Sequence, residues 1–399
     1  MASYQSFLCF FFFFFFFLDV ISIILQQVGC SRWGVMAMAM AINNNNEHED
    51  SMALFPFGSF NGFGSFGSGC YHPRLPSPTV AIQEVIGVCY GTMGDNLPGA
   101  KEVVQLYKSY GIKKMRIYHP DKHILNALQG SNIQVMVGIP NSDLQSLVNN
   151  TSATNWVQTN IQAYVPNIKF QYIAVGNEVQ PSDSFAAFVL PVMRNIYSAI
   201  VEANLEDQIK VSTVISANLL GSSFPPSVGS FSREANELME PIVGFLVQNA
   251  SPLLANLYPY YTYMSGTFTL DYALFNGPSV VKDGNFDYHN VFEVMVDAIY
   301  AALEKCGGTN VSIVVSESGW PSAGDGNTKV ENGVAGSYYS NLIKFVQGGT
   351  QRRPGRAIET YLFAMFDENL RSPAVDKHFG LFTYDQKLKY VINLNFSLY

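Results

Sequence analysis

The sequence contains little charge, and the charge it has is weighted toward acidic residues. Only 14% of the 399 residues are charged, 31 Asp and Glu outnumber 23 Lys and Arg, and the net charge is −8. No strongly basic segment is present that could neutralise a row of phosphates, so nucleic acid is not expected as a partner. A neutral or weakly charged ligand fits this composition better.

Cysteine is also scarce and is not arranged for metal binding. The five cysteines form no C-x-x-C pair, and no Cys/His cluster has the spacing of metal ligands. Cys89 lies inside the apolar run "VIGVCYG" and is interpreted as an inert core thiol. We therefore expect no metal site.

The N-terminus carries a long apolar run with poor flanks for a membrane anchor. Phe7 to Leu18 is uninterrupted and apolar, no Lys or Arg precedes it, and Asp19 separates it from the apolar residues that follow. A carboxylate inside a membrane span is costly, which favours an export signal over an anchor. A membrane is expected as a partner only if this segment is retained.

The composition predicts three regions along the chain. Residues 1–30 are expected to be a signal peptide or hydrophobic leader, and residues 31–81, rich in Asn, Gly, Phe and Ser, are expected to be disordered. Residues 82–399 then form one catalytic domain. Sequons at Asn149, Asn150 and Asn310 are compatible with secretion.

From residue 83 onward, short apolar β-branched runs alternate with longer amphipathic segments. Such strands are typical of a parallel sheet that is buried on both faces. Eight of these units predict an α/β fold, a (β/α)₈ TIM barrel. A doubly wound open sheet is the alternative, but its usual G-x-G-x-x-G turn is missing after the first strand. The predicted strands are 85–91, 113–118, 133–139, 172–178, 209–215, 252–258, 311–317 and 359–366.

Two glutamates stand at the ends of predicted strands. Glu178 ends strand four in "YIAVGNE", and Glu317 ends strand seven in "VSIVVSE". Because barrel enzymes build their active sites at the C-terminal ends of the strands, we expect these carboxyl groups to face each other across the barrel mouth.

A pair of carboxyl groups on either side of a bond is typical of glycoside hydrolysis. One group must hold a proton for the leaving oxygen, and the other must be ionised, so the site must separate their pKa values. Asn177, beside Glu178, is a candidate to bond the 2-hydroxyl of the sugar. The competing interpretation is that both glutamates only end barrel strands.

At these motifs the sequence resembles a known family. "YIAVGNEV", "VVSESGWPSAG", "IGVCYG", "MRIY", "SPLLANLYPYY", "AIETYLFAMFDEN" and "KHFGLF" resemble the plant β-1,3-glucanases of glycoside hydrolase family 17, in order from about Ile86 to Phe396. The resemblance implies a retaining endo-hydrolase of β-1,3-glucan without cofactors. It makes Glu178 the proton donor and general acid/base, and Glu317 the nucleophile.

The resemblance also carries over a set of substrate-binding residues. Trp320 is interpreted either as a wall of the site or as structural support. Arg371 and Asp376 stand where the family often has lysine and glutamate, and His119 is expected to be a solvated loop residue. The substrate-binding candidates are Tyr118, Asn177, Asn256, Tyr258, Tyr261, Trp320, Glu368, Arg371 and Asp376.

Three other functions stay open at this point. A non-catalytic glucan-binding barrel is disfavoured because both carboxylates are present in their motifs. A wall-remodelling β-glucan transglycosylase and a 1,3-1,4-glucanase would use the same machinery. The resemblance implies a secreted or vacuolar plant protein, expected to be monomeric, with a role in the cell wall or in defence.

Overall fold

The computed structural model describes residues 85–278, 280–324 and 332–392. The expected leader (1–30) and the expected low-complexity region (31–81) lie outside the described residues. Within those ranges, no helix combines the length and the apolar character that crossing a membrane requires.

The strands and helices follow the predicted alternation. The strands are β1 (Ile86–Tyr90), β2 (Lys114–Ile117), β3 (Gln134–Ile139), β4 (Lys169–Asn177), β5 (Lys210–Ser216), β6 (Leu220–Ser222), β7 (Ser230–Phe231), β8 (Leu253–Asn256), β9 (Val281–Asp283), β10 (Phe286–Tyr288), β11 (Ile313–Ser318) and β12 (Thr360–Leu362). The α-helices are α1 (Ala100–Ser109), α2 (Lys122–Leu128), α3 (Leu144–Leu147), α4 (Asn150–Asn160), α5 (Val189–Glu202), α6 (Arg233–Gln248), α7 (Pro259–Met264), α8 (Leu270–Ala273), α9 (Val291–Lys305) and α10 (Asn332–Phe345). Short 3₁₀ turns span Asn141–Asp143, Gln162–Tyr164, Ala186–Phe188, Ala217–Leu219, Pro226–Val228 and Ala374–His378.

Eight parallel strands close into a barrel, which confirms the predicted fold and excludes the open sheet. Their order around the barrel is β1-β12-β11-β8-β5-β4-β3-β2. The barrel closes because β1 pairs on one side with β12, through Ile86 and Thr360, and on the other with β2, through Val88 and Met115. The remaining strands form two short antiparallel pairs, β6 with β7 and β9 with β10, in the connections between barrel strands.

Helix α1 packs one apolar face into the barrel core. In α1 the predicted buried face is confirmed, since Val103, Val104 and Tyr107 are all buried. The helix is followed by Gly111, whose φ of 67° lies in the left-handed region where glycine is favoured. The same device follows α9, where Gly307 has a φ of 80°.

The N-terminal end of the barrel holds an ion pair in which Lys114 is buried and Glu359 is half-buried. Lys114 Nζ lies 3.0 Å from Glu359 Oε1 and donates to Gln171 Oε1 at 3.1 Å. The hydroxyls of Tyr172 and Tyr361 donate to the same glutamate at 3.1 and 3.0 Å. A buried charge of this kind is tolerated because its partners replace the lost water.

Candidate active site

The end of β4 places Glu178 at the barrel mouth in an unusual backbone conformation. Asn141 fixes the preceding residue: its Oδ1 accepts from Asn177 N at 2.8 Å, and its Nδ2 donates to Asn177 O at 3.0 Å. Glu178 itself has a φ of 53° and donates its N–H to Val214 O at 2.9 Å. For a residue other than glycine this conformation costs of order 1 kcal/mol, and such strain is concentrated at functional sites.

Glu317 lies within β11 and is held from three sides. Tyr118 donates its hydroxyl to Oε1 at 2.8 Å, and Tyr258 donates its hydroxyl to Oε2 at 2.5 Å. Arg116 Nη1 lies 2.9 Å from Oε1, and both members of this ion pair are buried. Hydrogen bonds and a positive charge directed at a carboxylate stabilise its ionised form.

Arg116 connects the two glutamates, and sequence analysis missed it. Its Nη1 donates to Asn256 Oδ1 at 2.9 Å, its Nη2 donates to Asn177 Oδ1 at 2.7 Å, and it also pairs with Glu317. Asn256 Nδ2 in turn donates to Glu178 Oε1 at 2.7 Å. The available signal was the charge itself, because a strand buried on both faces should carry no arginine without a partner.

The two carboxyl groups differ in their surroundings. Among the described residues, Glu178 has one side-chain hydrogen-bond partner at its carboxyl group, Asn256, whereas Glu317 has three polar partners. Burial, reinforced by the negative charge of Glu317, raises the pKa of Glu178 to about 7, and the bond from Asn256 only partly offsets this. At mildly acidic pH Glu178 therefore holds a proton.

Both glutamates line one cavity of about 430 Å³ at the C-terminal end of the barrel. Most of the predicted substrate-binding residues meet there, whereas Asn256 is fully buried behind the cavity wall. The predicted residues that line it are Tyr118, Asn177, Tyr258, Tyr261, Glu368, Arg371 and Asp376. The structure thus brings together side chains from the first, second, fourth, sixth, seventh and eighth barrel units.

Charged residues after β12 form one wall of the cavity. Arg371 Nε donates to Glu368 Oε2 at 2.6 Å, and Met93 N donates to Oε1 of the same glutamate at 2.7 Å. Gly91 makes room for this carboxylate, since a Cβ there would lie 2.3 Å from Glu368 Oε1. Asp376 Oδ1 accepts from the Tyr261 hydroxyl at 3.0 Å.

The prediction of Trp320 as a substrate-binding residue is wrong. Its side chain is fully buried and does not line the cavity, because it packs against Tyr260, Tyr263 and Tyr338 behind the wall. The alternative of structural support fits these contacts. His119 is exposed at the cavity rim, as expected for a solvated loop residue.

Cys89 is fully buried within β1, where its thiol donates to Ser316 O at 3.3 Å, and burial raises the pKa of this thiol far above its ordinary value. It is therefore an inert core residue, as predicted. In the part of the chain that the structure describes, no three His, Cys, Asp or Glu side chains are grouped to hold a metal ion. The chemistry that these side chains can supply is proton donation by one carboxyl group and nucleophilic attack by the other.

One family model covers the whole barrel. Residues 86–394 match the model of the glycosyl hydrolases family 17. The chain belongs to this family. The match includes both glutamates and every strand of the barrel, so the paired carboxyl groups lie within the shared domain.

Plant proteins named as glucan endo-1,3-beta-glucosidases are similar over most of the chain. A glucan endo-1,3-beta-glucosidase from Vitis vinifera is 54% identical over 325 residues, which cover 79% of this chain and 93% of that protein. The basic vacuolar isoform from Nicotiana plumbaginifolia is 49% identical over 326 residues, covering 80% of this chain and 88% of that protein.

Solved structures of family members share the fold. CJP38, a beta-1,3-glucanase and allergen of Cryptomeria japonica pollen, superposes with a TM-score of 0.76 at 44% identity and covers 79% of this chain and 100% of its own. One of two plant beta-glucan endohydrolases with distinct substrate specificities gives a TM-score of 0.73 at 45% identity, covering 77% of this chain and 99% of its own.

Proposed function

We propose that this family 17 glycoside hydrolase cleaves internal β-1,3-glucosidic bonds of β-1,3-glucans with retention of configuration. The observation that carries the proposal is the difference between the two carboxyl groups in the cavity. Glu317 is bonded by Arg116 and two tyrosine hydroxyls, whereas burial raises the pKa of Glu178 to about 7. The printed names of the most similar plant relatives support the same substrate.

In the first step the carboxylate of Glu317 attacks the anomeric carbon, and the bond from that carbon to the leaving oxygen breaks. Glu178 gives its proton to that oxygen, so the leaving glucan departs as an alcohol. In the second step Glu178, now ionised, takes a proton from water, and the hydroxide oxygen displaces Glu317 from the anomeric carbon. Arg116 and the tyrosine hydroxyls stabilise the negative charge that Glu317 regains when it leaves the anomeric carbon.

Asn177 is proposed to contact the sugar through its amide nitrogen. Its Oδ1 already accepts from Arg116 Nη2 at 2.7 Å and from Asn256 Nδ2 at 3.3 Å. The amide group is thereby held in one orientation, which leaves Nδ2 to donate to the oxygen of the 2-hydroxyl. Hydrogen bonds to this hydroxyl strengthen in the transition state.

The role of Glu317 is tested by nucleophile removal. We expect Glu317→Ala to abolish hydrolysis of laminarin while the circular dichroism spectrum stays native. Added azide should then restore turnover of an aryl β-laminarioligosaccharide and give the inverted glycosyl azide. Glu102→Ala, at the exposed first turn of α1, is the control and should hydrolyse laminarin normally. Activity of Glu317→Ala near that of the wild type would sink the assignment.

Product analysis tests the substrate and the endo mode. Laminarin should yield a mixture of oligosaccharides from the earliest times, because a chain bound along an open cleft is cut internally. Release of glucose alone from the start would contradict endo action. Faster cleavage of barley mixed-linkage glucan than of laminarin would instead indicate a 1,3-1,4-glucanase, and products longer than the substrate would indicate a transglycosylase.

We further propose that residues 82–399 form the catalytic domain of a secreted or vacuolar monomer, and that residues 1–30 direct its export. A relative named as a vacuolar isoform supports the second destination. Mass spectrometry of the mature N-terminus after expression in plant cells tests the leader, since an intact residue 1 would contradict cleavage. Light scattering of the purified protein tests the monomer.

A further inference from the structure

A second cavity shares one lining residue, Tyr261, with the active-site cleft. It has a volume of about 140 Å³ and is formed by the residues that follow β5, by α7 and the turn after it, and by the first turns of α9. Tyr261 lines both cavities, and its hydroxyl bonds Asp376 in the cleft. One aromatic side chain is therefore shared by two spaces of different character.

The lining of this second cavity is neutral and mostly apolar. No side chain among its fourteen lining residues carries a charge. Phe224 and Phe268 meet edge to face at its rim, with ring centroids 5.9 Å apart, and Phe224 is 52% exposed. Val294 and Met295 of α9 contribute its apolar floor. A charged ligand would lose its water here without gaining a partner.

A sugar ring is a poor match for this space. Each sugar hydroxyl needs a hydrogen-bond partner, and a buried polar group left unpaired is unfavourable. Two of the hydroxyls at the cavity already have partners, since Ser265 Oγ lies 2.6 Å from Thr262 O and 2.8 Å from Thr267 Oγ1. The remaining polar side chains, Asn218 and Ser223, are two among fourteen lining residues, too few to match the hydroxyls spread around a sugar ring.

The size of the cavity corresponds to a single aromatic ring. A dry apolar cavity of about 150 Å³, lined by Leu, Ile and Phe, takes up benzene in another protein. Aromatic side chains at the rim favour edge-to-face and offset contacts with a bound ring. The matching ligand is thus neutral, flat and monocyclic, with one polar substituent.

We propose that this cavity is a binding site for a free, neutral, one-ring phenolic molecule, distinct from the glucan cleft and sharing Tyr261 with it. The ring lies against Met295 and the two rim phenylalanines, and its hydroxyl bonds Asn218 or Ser223. The proposal does not depend on glucan hydrolysis, since the ring contacts Met295, Phe224 and Phe268, none of which lines the cleft.

Methionine methyl groups provide a reporter in each cavity. Met295 lines the second cavity, and Met93 lines the glucan cleft. In protein labelled with ¹³C at the methionine methyl groups, a titration with phenol should shift the Met295 resonance to saturation and leave Met93 in place. Movement of Met93 alone would place phenol in the cleft and overturn the proposal, as would the absence of any shift.

Matched variants complete the test. Met295→Gln keeps the length of the side chain but presents an amide to the ring, and it should weaken phenol binding at least about fivefold in saturation-transfer measurements. Met264→Gln makes the same change on α7 at a residue that does not line the cavity, and binding should be unchanged. Equal affinity in both variants would refute the site. Glucose, tested in place of phenol, should leave Met295 unmoved, whereas a saturable shift with glucose would contradict the phenolic specificity.

Discussion

The two ends of the barrel contain nearly the same arrangement of groups with different outcomes. Lys114 and Arg116 lie two residues apart on β2; the first pairs with Glu359 at the N-terminal end, and the second pairs with Glu317 at the C-terminal end. Each glutamate also accepts hydrogen bonds from two tyrosine hydroxyls. At the C-terminal end alone, within the described residues, a further carboxyl group, Glu178, shares the site.

The partners that stabilise a carboxylate are not the groups that make it reactive. Each network stabilises a negative charge that is at least half-buried, so a well-bonded glutamate is not by itself a catalytic group. Reactivity requires a second acid poised near neutral pH and an open cavity between them. The first of these comes from Glu178, whose pKa burial raises to about 7.

Removing the carboxyl group of Glu178 should have the largest effect on activity. We expect Glu178→Gln to lower laminarin hydrolysis by a factor of about 10²–10⁴, the usual contribution of a positioned general acid/base. Glu359→Gln makes the same change at the other end of the barrel and should keep kcat. A substrate with a dinitrophenyl leaving group needs no protonation, so the first step on it should suffer much less in Glu178→Gln. An equal loss on both substrates would contradict the acid role.

The same residue predicts the pH profile of the wild-type enzyme. Since Glu178 must be protonated for the first step and its pKa is about 7, kcat/KM should fall as the pH rises through about 7. This limb should be absent from the residual activity of Glu178→Gln. A limb that persists unchanged would assign the titration to another group.

Replacing the two cations should separate activity from stability. In Arg116→Met the buried Glu317 loses its positive partner, so we expect activity to fall by a factor of about 10²–10³ and the free energy of unfolding to fall by roughly 3 kcal/mol. Lys114→Met should also destabilise the protein, but with kcat unchanged. Denaturant unfolding and laminarin assays on both variants measure the two effects. Loss of kcat in Lys114→Met would show that the ion pair at the N-terminal end also contributes to catalysis.

Tyrosine hydroxyls at the two ends provide a finer test. Tyr258→Phe removes the 2.5 Å bond to Glu317, and Tyr361→Phe removes the 3.0 Å bond to Glu359. A hydrogen bond to a charged group contributes about 1.5–3 kcal/mol, so the free energy of unfolding should fall in both variants. The kcat for laminarin should fall about tenfold or more in Tyr258→Phe and stay unchanged in Tyr361→Phe.

Removal of the Glu178 carboxyl group should also stabilise the folded protein at alkaline pH. The folded-state pKa of Glu178 is raised from 4.5 to about 7, so the folded protein binds more protons than the unfolded chain between these values, and stability falls as the pH rises through this window. Above pH 7 the ionised group costs up to roughly 3 kcal/mol. Glu178→Gln should therefore unfold at higher denaturant than the wild type at pH 8, with the gain lost below pH 4.5. No gain at pH 8 would contradict the raised pKa.

The barrel was predictable because most of its strands are short, largely apolar runs that alternate with amphipathic helices, whereas the exact strand ends were not predictable. The predicted strand 252–258 ends in the structure at Asn256, because Tyr258 is already the N-cap of α7. The left-handed backbone of Glu178 and the two short antiparallel pairs in the connections leave no periodic pattern in the sequence.

The site was predicted from carboxylates at strand ends and from family motifs. This explains why the two glutamates were found, why Arg116 was missed and why Trp320 was wrongly assigned. Glu178 and Glu317 stand out because each interrupts an apolar strand at its end. Arg116 also interrupts an apolar strand, but its role depends on partners about 200 residues away in the chain, which a local sequence pattern cannot reveal. Trp320 was misplaced because its neighbourhood in sequence lies at the site while its ring packs behind it.

Where the first and last strands of the barrel meet, the backbone of Gly91 lies directly against the carboxylate of Glu368. A methyl group at that position would occupy the space of an oxygen atom, so even alanine would force the acid and its arginine away from the cleft. In a randomised library selected for glucan cleavage, this position should tolerate no alternative, although nothing about it is chemically reactive. The shape of the cleft thus depends partly on the absence of a side chain at residue 91.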